Sequence, residues 1–187
     1  KLWNSMMQSK RLKGKNGYFI PPSWASVYKL TTTKESGGGN NWFGWVVEFV
    51  KFLDKPDFQL NKFFYKNVGK KHHWVDRLAW SEKQWIKYTS DEKVKTYILK
   101  KGNDFVGYFE LIFHNNSNEV EIAYLGLLEE YQNKKLGSYL LTCAIKKSFL
   151  DNPKRVWVHT CSLDHKNALH NYIARGMKIF KKETITI

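Results

Sequence analysis

Residues 124–141 read Tyr124-Leu-Gly-Leu-Leu-Glu-Glu-Tyr-Gln-Asn-Lys-Lys-Leu-Gly-Ser-Tyr-Leu-Leu141. Its first residues are apolar enough for a strand, its middle is a polar turn, and its last part opens a helix with apolar spacing over 135–149. A helix N-terminus leaves backbone N–H groups unpaired and carries partial positive charge, so it attracts phosphate. Lys134 and Lys135 add two full charges at that point. Gly137 lets an anion approach the backbone where a β-carbon would obstruct it. The same local pattern also fits an ordinary strand-to-helix connection with a solvated lysine pair.

Working outward, Arg155-Val-Trp-Val-His-Thr160 reads as the next strand, 167–174 as a short helix and 177–187 as mostly strand. Upstream, the apolar run 120–128 is a strand after a turn at Asn115-Asn-Ser-Asn118. Lys95–Lys100 and Phe105–Phe113 are two strands joined by a tight turn at Gly102-Asn103. Ser81 stands three residues before Gln84, a capping-box pattern that starts a helix through Trp85 and Tyr88. Phe58, Leu60, Phe63, Phe64 and Val68 recur at helical spacing, with Gly69 as the stop. Residues 26–32 and 45–52 read as strands around a turn at Ser36-Gly-Gly-Gly-Asn-Asn41, which lacks the Lys-Ser/Thr ending of a nucleotide-binding loop. Alternating strands and helices without internal repeats predict a mixed α/β domain.

The 187 residues suit one domain, here residues 26–187, preceded by a basic, loosely ordered arm at 1–25. Hydrophobic residues at 42% and aromatics at 16% exclude a disordered chain. No apolar run approaches the ~18 residues of a membrane span. Cys143 and Cys161 are too few for a disulfide scaffold, and reduced thiols in a cytoplasmic protein are the expectation, Cys161 as a buried one. The net charge of +14 attracts phosphates of any kind. By itself it does not separate nucleic acid, anionic membrane and a phosphorylated cofactor.

Gln132-Asn-Lys-Lys-Leu-Gly137 resembles the Gln/Arg-x-x-Gly-x-Gly/Ala acyl-CoA loop of the GNAT acetyltransferase superfamily. The preceding 126–131 stretch is similar to the family's bulged strand and its approach to the loop. Residues 163–177 are similar to the family's Asn-x-x-Ala-x-x-x-Tyr-x-x-x-Gly-Phe region, with Met177 in the Phe place. Element order agrees over roughly 58–187. In one departure, Lys135 stands where the family has its first glycine, so a positive φ there would strain the lysine.

The resemblance implies a centrally splayed sheet flanked by helices, and acetyl-CoA as cosubstrate with no metal. The pyrophosphate would lie on N–H groups of Asn133, Lys134, Lys135, Leu136, Gly137 and Ser138 after Gln132. The pantetheine arm would pair with backbone at Leu125 and Leu127, and Asn167 would touch it or the pyrophosphate. Tyr172 matches the family's general acid, and a phenol of pKa ~10 suits a departing thiolate. Glu121, with Glu110 and His159 as rivals, is the candidate base. The segment after the first helix, with His73, Trp74, Asp76 and Arg77, together with Tyr124 and His159, would shape the acceptor pocket. There Asp76 suits an ammonium and Arg77 a carboxylate, with aromatic walls for a cation or a flat ring. Trp80 and Trp85 read as core. His72-His73 lacks the spacing of a metal site.

These residues predict transfer of an acetyl group from acetyl-CoA to a small-molecule or peptide amine, by a monomer or homodimer. The alternatives are a basic nucleic-acid-binding module, for which no RNA or DNA motif is present, and a GNAT fold that binds CoA without transferring.

Overall fold

The computed structural model describes residues 2–6, 51–53 and 56–184. The strand expected at 26–32, the glycine turn at 36–41 and residues 45–50 of the next strand lie outside the described residues. Within them the chain runs β1 (Leu2–Met6), β2 (Lys51–Phe52), α1 (Phe58–Gly69), α2 (Glu82–Thr89), β3 (Val94–Lys101), β4 (Asp104–His114), β5 (Glu119–Leu127), α3 (Leu136–Ser148), β6 (Arg155–Thr160), α4 (Ala168–Ile173) and β7 (Met177–Lys182). The mixed α/β class is as the alternation predicted.

Local signals set most boundaries. Asp57 caps α1 by accepting from the Leu60 N–H. Ser81 and Gln84 form the expected reciprocal capping box on α2. Gly102, at φ +59°, turns β3 into β4. β5 pairs antiparallel with β4 and parallel with β6, so the chain must cross over between them, and α3 makes that crossover.

The strands form one sheet in the order β2-β3-β4-β5-β6-β1-β7. Within the stretch 1–25, read from sequence as an arm, the backbone of β1 inserts between β6 and β7, antiparallel to both. The rest of that arm lies outside the described residues.

One face of the sheet buries Leu111, Val120 and Ile122 against Leu140, Leu141 and Ala144 of α3. Side chains of this kind contribute about 1.5–3 kcal/mol each when fully buried. The other face packs Phe64 and Val68 of α1 on Ile98 and Tyr108. The approach of α1 to β5 requires Gly126, because a β-carbon there would sit 2.2 Å from Val68 Cγ1. Trp85 is buried as expected, with Trp80 half-buried edge-on against it at 5.1 Å.

Candidate active site

The parallel ladder between β5 and β6 pairs Glu119 with Arg155, Val120 with Val156, Glu121 with Trp157 and Ile122 with Val158, and stops there. Both strands continue, β5 to Leu127 and β6 to Thr160. At the next residue of β5 there is a bulge: Leu111 faces Ile122 and Glu110 faces Tyr124, leaving Ala123 as the extra residue. A bulge bends its strand, and here the bend accompanies the parting of the two strands. Between them opens a groove of about 830 Å³, within the range of small-molecule and cofactor sites.

The Gln132–Ser138 connection lies beyond the end of β5. Asn133 and Lys135 hold positive φ of +59° and +60°. The strain foreseen for lysine in place of glycine is therefore present, at a cost of about 1 kcal/mol. Lys135 is the N-cap of α3, and no side chain caps the helix and no acid occupies its first turn. The first N–H groups of α3 are left for a ligand. Gly137 lines the groove, and a β-carbon added to it would meet only Leu127 Cδ1, at 3.7 Å. In contrast to Gly126, protein packing does not demand this glycine. Lys134 folds away from the groove to donate to the Glu130 carbonyl at 2.8 Å, leaving Lys135 as the lysine of the pair on the groove wall.

Tyr172 is buried on α4 and lines the groove. Burial first, and the nearby Asp164 carboxylate second, push its phenol well above the ordinary tyrosine range. Among the described residues nothing accepts a hydrogen bond from its hydroxyl. Asn167 is the N-terminal flank of α4 and also lines the groove, as do Leu125, Leu127, Gln132, Asn133 and Ser138.

Glu110 and Arg77 lie under the helices rather than at the groove. Glu110 is fully buried beneath α1 and α2. Its carboxylate accepts from Asn61 Nδ2 at 2.7 Å, Arg77 Nη1 at 2.9 Å and Tyr88 Oη at 2.8 Å. It does not line the groove, so it cannot serve as a base there. Arg77, expected to meet a substrate carboxylate, is the buried partner of that pair. Its guanidinium lies 3.9 Å from the Tyr88 ring centroid and 4.2 Å from that of Tyr124. Burial opposes its charge, but Glu110 and the surrounding phenols outweigh that and hold it firmly protonated.

Glu121 lies one layer behind the groove. One carboxylate oxygen is 3.0 Å from His114 Nε2 and the other 3.7 Å from His159 Nδ1. His159 does line the groove, just beyond the last paired residues. Leu136 is likewise absent from the groove lining and packs against the core.

Tyr124, Trp74, His73 and Asp76 do meet at the groove. Asp76 accepts from Tyr65 Oη at 2.9 Å and from Tyr124 Oη at 2.5 Å. Burial raises the Asp76 carboxyl, but those two hydrogen bonds, its own backbone and Arg77 together hold it below the usual carboxylate range. Trp74 and Tyr124 pack edge to face at 4.8 Å.

A scan against family models matches residues 55–177 to the Acetyltransferase (GNAT) family. The chain belongs to the GNAT acetyltransferase family. Residues 1–73 also match the model for Pam3 phage gp34-like proteins, overlapping the GNAT match across α1. No curated protein matches the chain. Solved structures share the GNAT fold at low identity. An aminoglycoside acetyltransferase from an uncultured soil metagenomic sample is 14% identical, with a TM-score of 0.56, over 74% of this chain and 92% of that one. The ribosomal-protein-S18-alanine N-acetyltransferase of Escherichia coli is 16% identical, with a TM-score of 0.54, over 68% and 76%. An IAA acetyltransferase from Bacillus cereus is 22% identical, with a TM-score of 0.54, over 71% and 79%.

Several groove residues of this GNAT protein carried no assigned role in the sequence. Arg175 donates to the Ser138 carbonyl and Thr142 Oγ1, both at 3.2 Å, and to Asn171, tying α4 to the first turn of α3. Its place just before Gly176 in the tyrosine motif was the available signal. His72 and His165 meet across the groove, with ring centroids 6.0 Å apart. Burial lowers the His72 pKa, with Asp164 opposing. Cys161 is half-exposed on the groove wall rather than buried. Among the described residues no helix is long and apolar enough to cross a membrane.

Proposed function

We propose that this GNAT chain is an N-acetyltransferase that moves an acetyl group directly from acetyl-CoA to an amine. The observation that carries the reading is the early end of the β5–β6 ladder at Ile122 and Val158. It opens a groove that runs to the uncapped N-terminus of α3, with Tyr172 in its wall. Free Cys143 and Cys161 suit a reducing, cytoplasmic setting.

The residues present fit such a donor. Unpaired N–H groups from Leu136 onward, the open space at Gly137 and the Lys135 charge would hold the pyrophosphate. The backbone of Leu125–Leu127, parted from β6, offers strand-like hydrogen bonds to the pantetheine amides, and Asn167 lies alongside. Acetyl-CoA supplies the activated acyl group and a thiolate leaving group.

The chain supplies the proton chemistry. Tyr172 keeps its proton across the working pH range because burial disfavours the phenolate, and it is the acid that donates to the leaving sulfur. An attacking amine must first be neutral. His159 is the group best placed to take its proton, with the Glu121 carboxylate behind it at 3.7 Å, an ion-pair distance, to stabilise the imidazolium, and His114 on the far carboxylate oxygen. Glu121 thus acts as a positioning residue. The acceptor is a small-molecule or peptide amine, and relatives of the same fold are named for both kinds.

Replacing Tyr172 with Phe tests the assignment. Acetyl transfer to an amine panel is expected to fall 10²- to 10⁴-fold, the usual range for general acid–base catalysis, with acetyl-CoA affinity unchanged. A variant with wild-type turnover would remove Tyr172 from the mechanism.

A further inference from the structure

The groove is charged unequally along its length. Among the described residues, the Lys and Arg side chains on its wall, Lys135 and Arg175, belong to the α3 and α4 region that would take the phosphates, and the carboxylates are Asp76 and Asp164. Asp164 is committed to the turn after β6, accepting from Thr160 Oγ1 at 2.5 Å and the Cys161 N–H at 3.2 Å with the same oxygen. Asp76 stands beside Tyr124, one residue past the bulge at Ala123. At ~3.3 Å per residue, Tyr124 lies about 10 Å along β5 from Leu127, where the phosphate loop departs. Asp76 is therefore on the side of the splay away from the phosphates.

Each Asp76 oxygen accepts one tyrosine hydroxyl, and a carboxylate oxygen has a second lone pair. The two phenols fix the carboxylate without neutralising it. Tyr124 stands beside it with Trp74 packed edge to face on Tyr124, both on the groove wall, and aromatic side chains favour a cation. The group that would have attracted an anion, Arg77, is sealed beneath the tyrosines against Glu110. Among the described residues a zwitterionic amino acid thus finds no free cation here for its carboxylate, while a second ammonium finds an oriented anion.

Resting on the acetyltransferase reading, we propose that the acceptor is a dibasic amine, one amine reacting at the splay while the second, as an ammonium ion, sits on Asp76 beside the packed Trp74–Tyr124 pair. The acetyl carbon–sulfur bond breaks as the nitrogen–carbon bond forms. The proton lost by the reacting amine passes to His159, and that gained by the sulfur comes from Tyr172. The second ammonium is unchanged throughout.

The test titrates a series of 1,n-diaminoalkanes, the monoamines of equal length and the matching amino acids against the full chain, with and without acetyl-CoA. Tryptophan fluorescence reads binding and release of free thiol reads transfer. At least one diamine is expected to bind and react about tenfold better than its monoamine and its amino acid. Asp76→Asn should bring that ratio close to one, whereas Asp76→Glu, which keeps the charge, should retain most of it. Equal use of monoamines, preference for amino acids, or an unchanged ratio in Asp76→Asn would overturn the proposal. So would failure of every diamine to bind while acetyl-CoA does bind, which leaves the acetyltransferase reading standing. Diamine binding that depends on Asp76 without any binding of acetyl-CoA would do the reverse, keeping the cation site and rejecting the transferase.

Discussion

Gly137→Ala separates what the fold needs from what a ligand needs. The glycine is the second residue of α3, and its added β-carbon would lie 3.7 Å from Leu127 Cδ1, an ordinary contact. Alanine in a helix is favoured over glycine by up to about 1 kcal/mol. At this chain length that is worth roughly 2–4 °C in melting temperature. The β-carbon should nonetheless hold a phosphate away from the N–H groups that begin α3. Losing one charge-assisted hydrogen bond costs about 1.5–3 kcal/mol, or on the order of 10- to 100-fold in Kd. Paired thermal unfolding and calorimetric titration with acetyl-CoA should thus show an apo protein as stable as wild type or slightly more so, and much weaker binding. Undiminished affinity in Gly137→Ala would refute the claim that phosphate approaches this backbone. A melting temperature lowered by several degrees would refute the reading of open space.

Lys135→Gly removes a non-glycine residue from φ +60° and should raise stability by about 1 kcal/mol, read as a melting temperature roughly 2–4 °C higher. Glu110→Ala leaves the Arg77 guanidinium buried and unpaired. A loss of about 3–5 kcal/mol is expected in denaturant unfolding, and a loss below about 1 kcal/mol would contradict the structural role given to Glu110. Burial raises the phenols of Tyr65, Tyr88, Tyr108, Tyr124 and Tyr172 above their unfolded value of 10.0. A raised pKa gives stability that is complete below the unfolded value and is lost as pH climbs toward the folded one. Unfolding free energy should therefore stop depending on these groups below about pH 9 and fall above about pH 10. Tyrosinate absorbance from the five should appear only with unfolding.

Features encoded by neighbours in sequence were legible. The Ser81–Gln84 capping box, the Gly102 turn and the apolar spacing of α1 and α3 each depend on residues a few positions apart. The left-handed backbone at Lys135 was foreseeable because a glycine belongs there in the motif. Charge pairing across the fold was not legible. Arg77 and Glu110 are 33 positions apart, and only the packing of α2 over the sheet shows that they neutralise each other. Glu110 and Glu121 look alike as strand carboxylates, yet they differ by what covers them: Asn61, Arg77 and Tyr88 in the first case, and His114 with the groove-lining His159 in the second. The staple from Arg175 to Ser138 and Thr142 joins two helices whose approach no local pattern encodes. The insertion of β1 between β6 and β7 pairs residues at opposite ends of the chain.

The central claim is that the splayed groove takes acetyl-CoA. Thermal unfolding with excess acetyl-CoA, against inorganic phosphate and adenosine as controls, tests it most directly. A ligand at a hundred times its Kd adds about 2.7 kcal/mol, which is on the order of 5–10 °C for a chain of this size. A shift of that order with acetyl-CoA, and none with phosphate or adenosine, is the result predicted. An unchanged melting temperature at saturating acetyl-CoA would contradict the account.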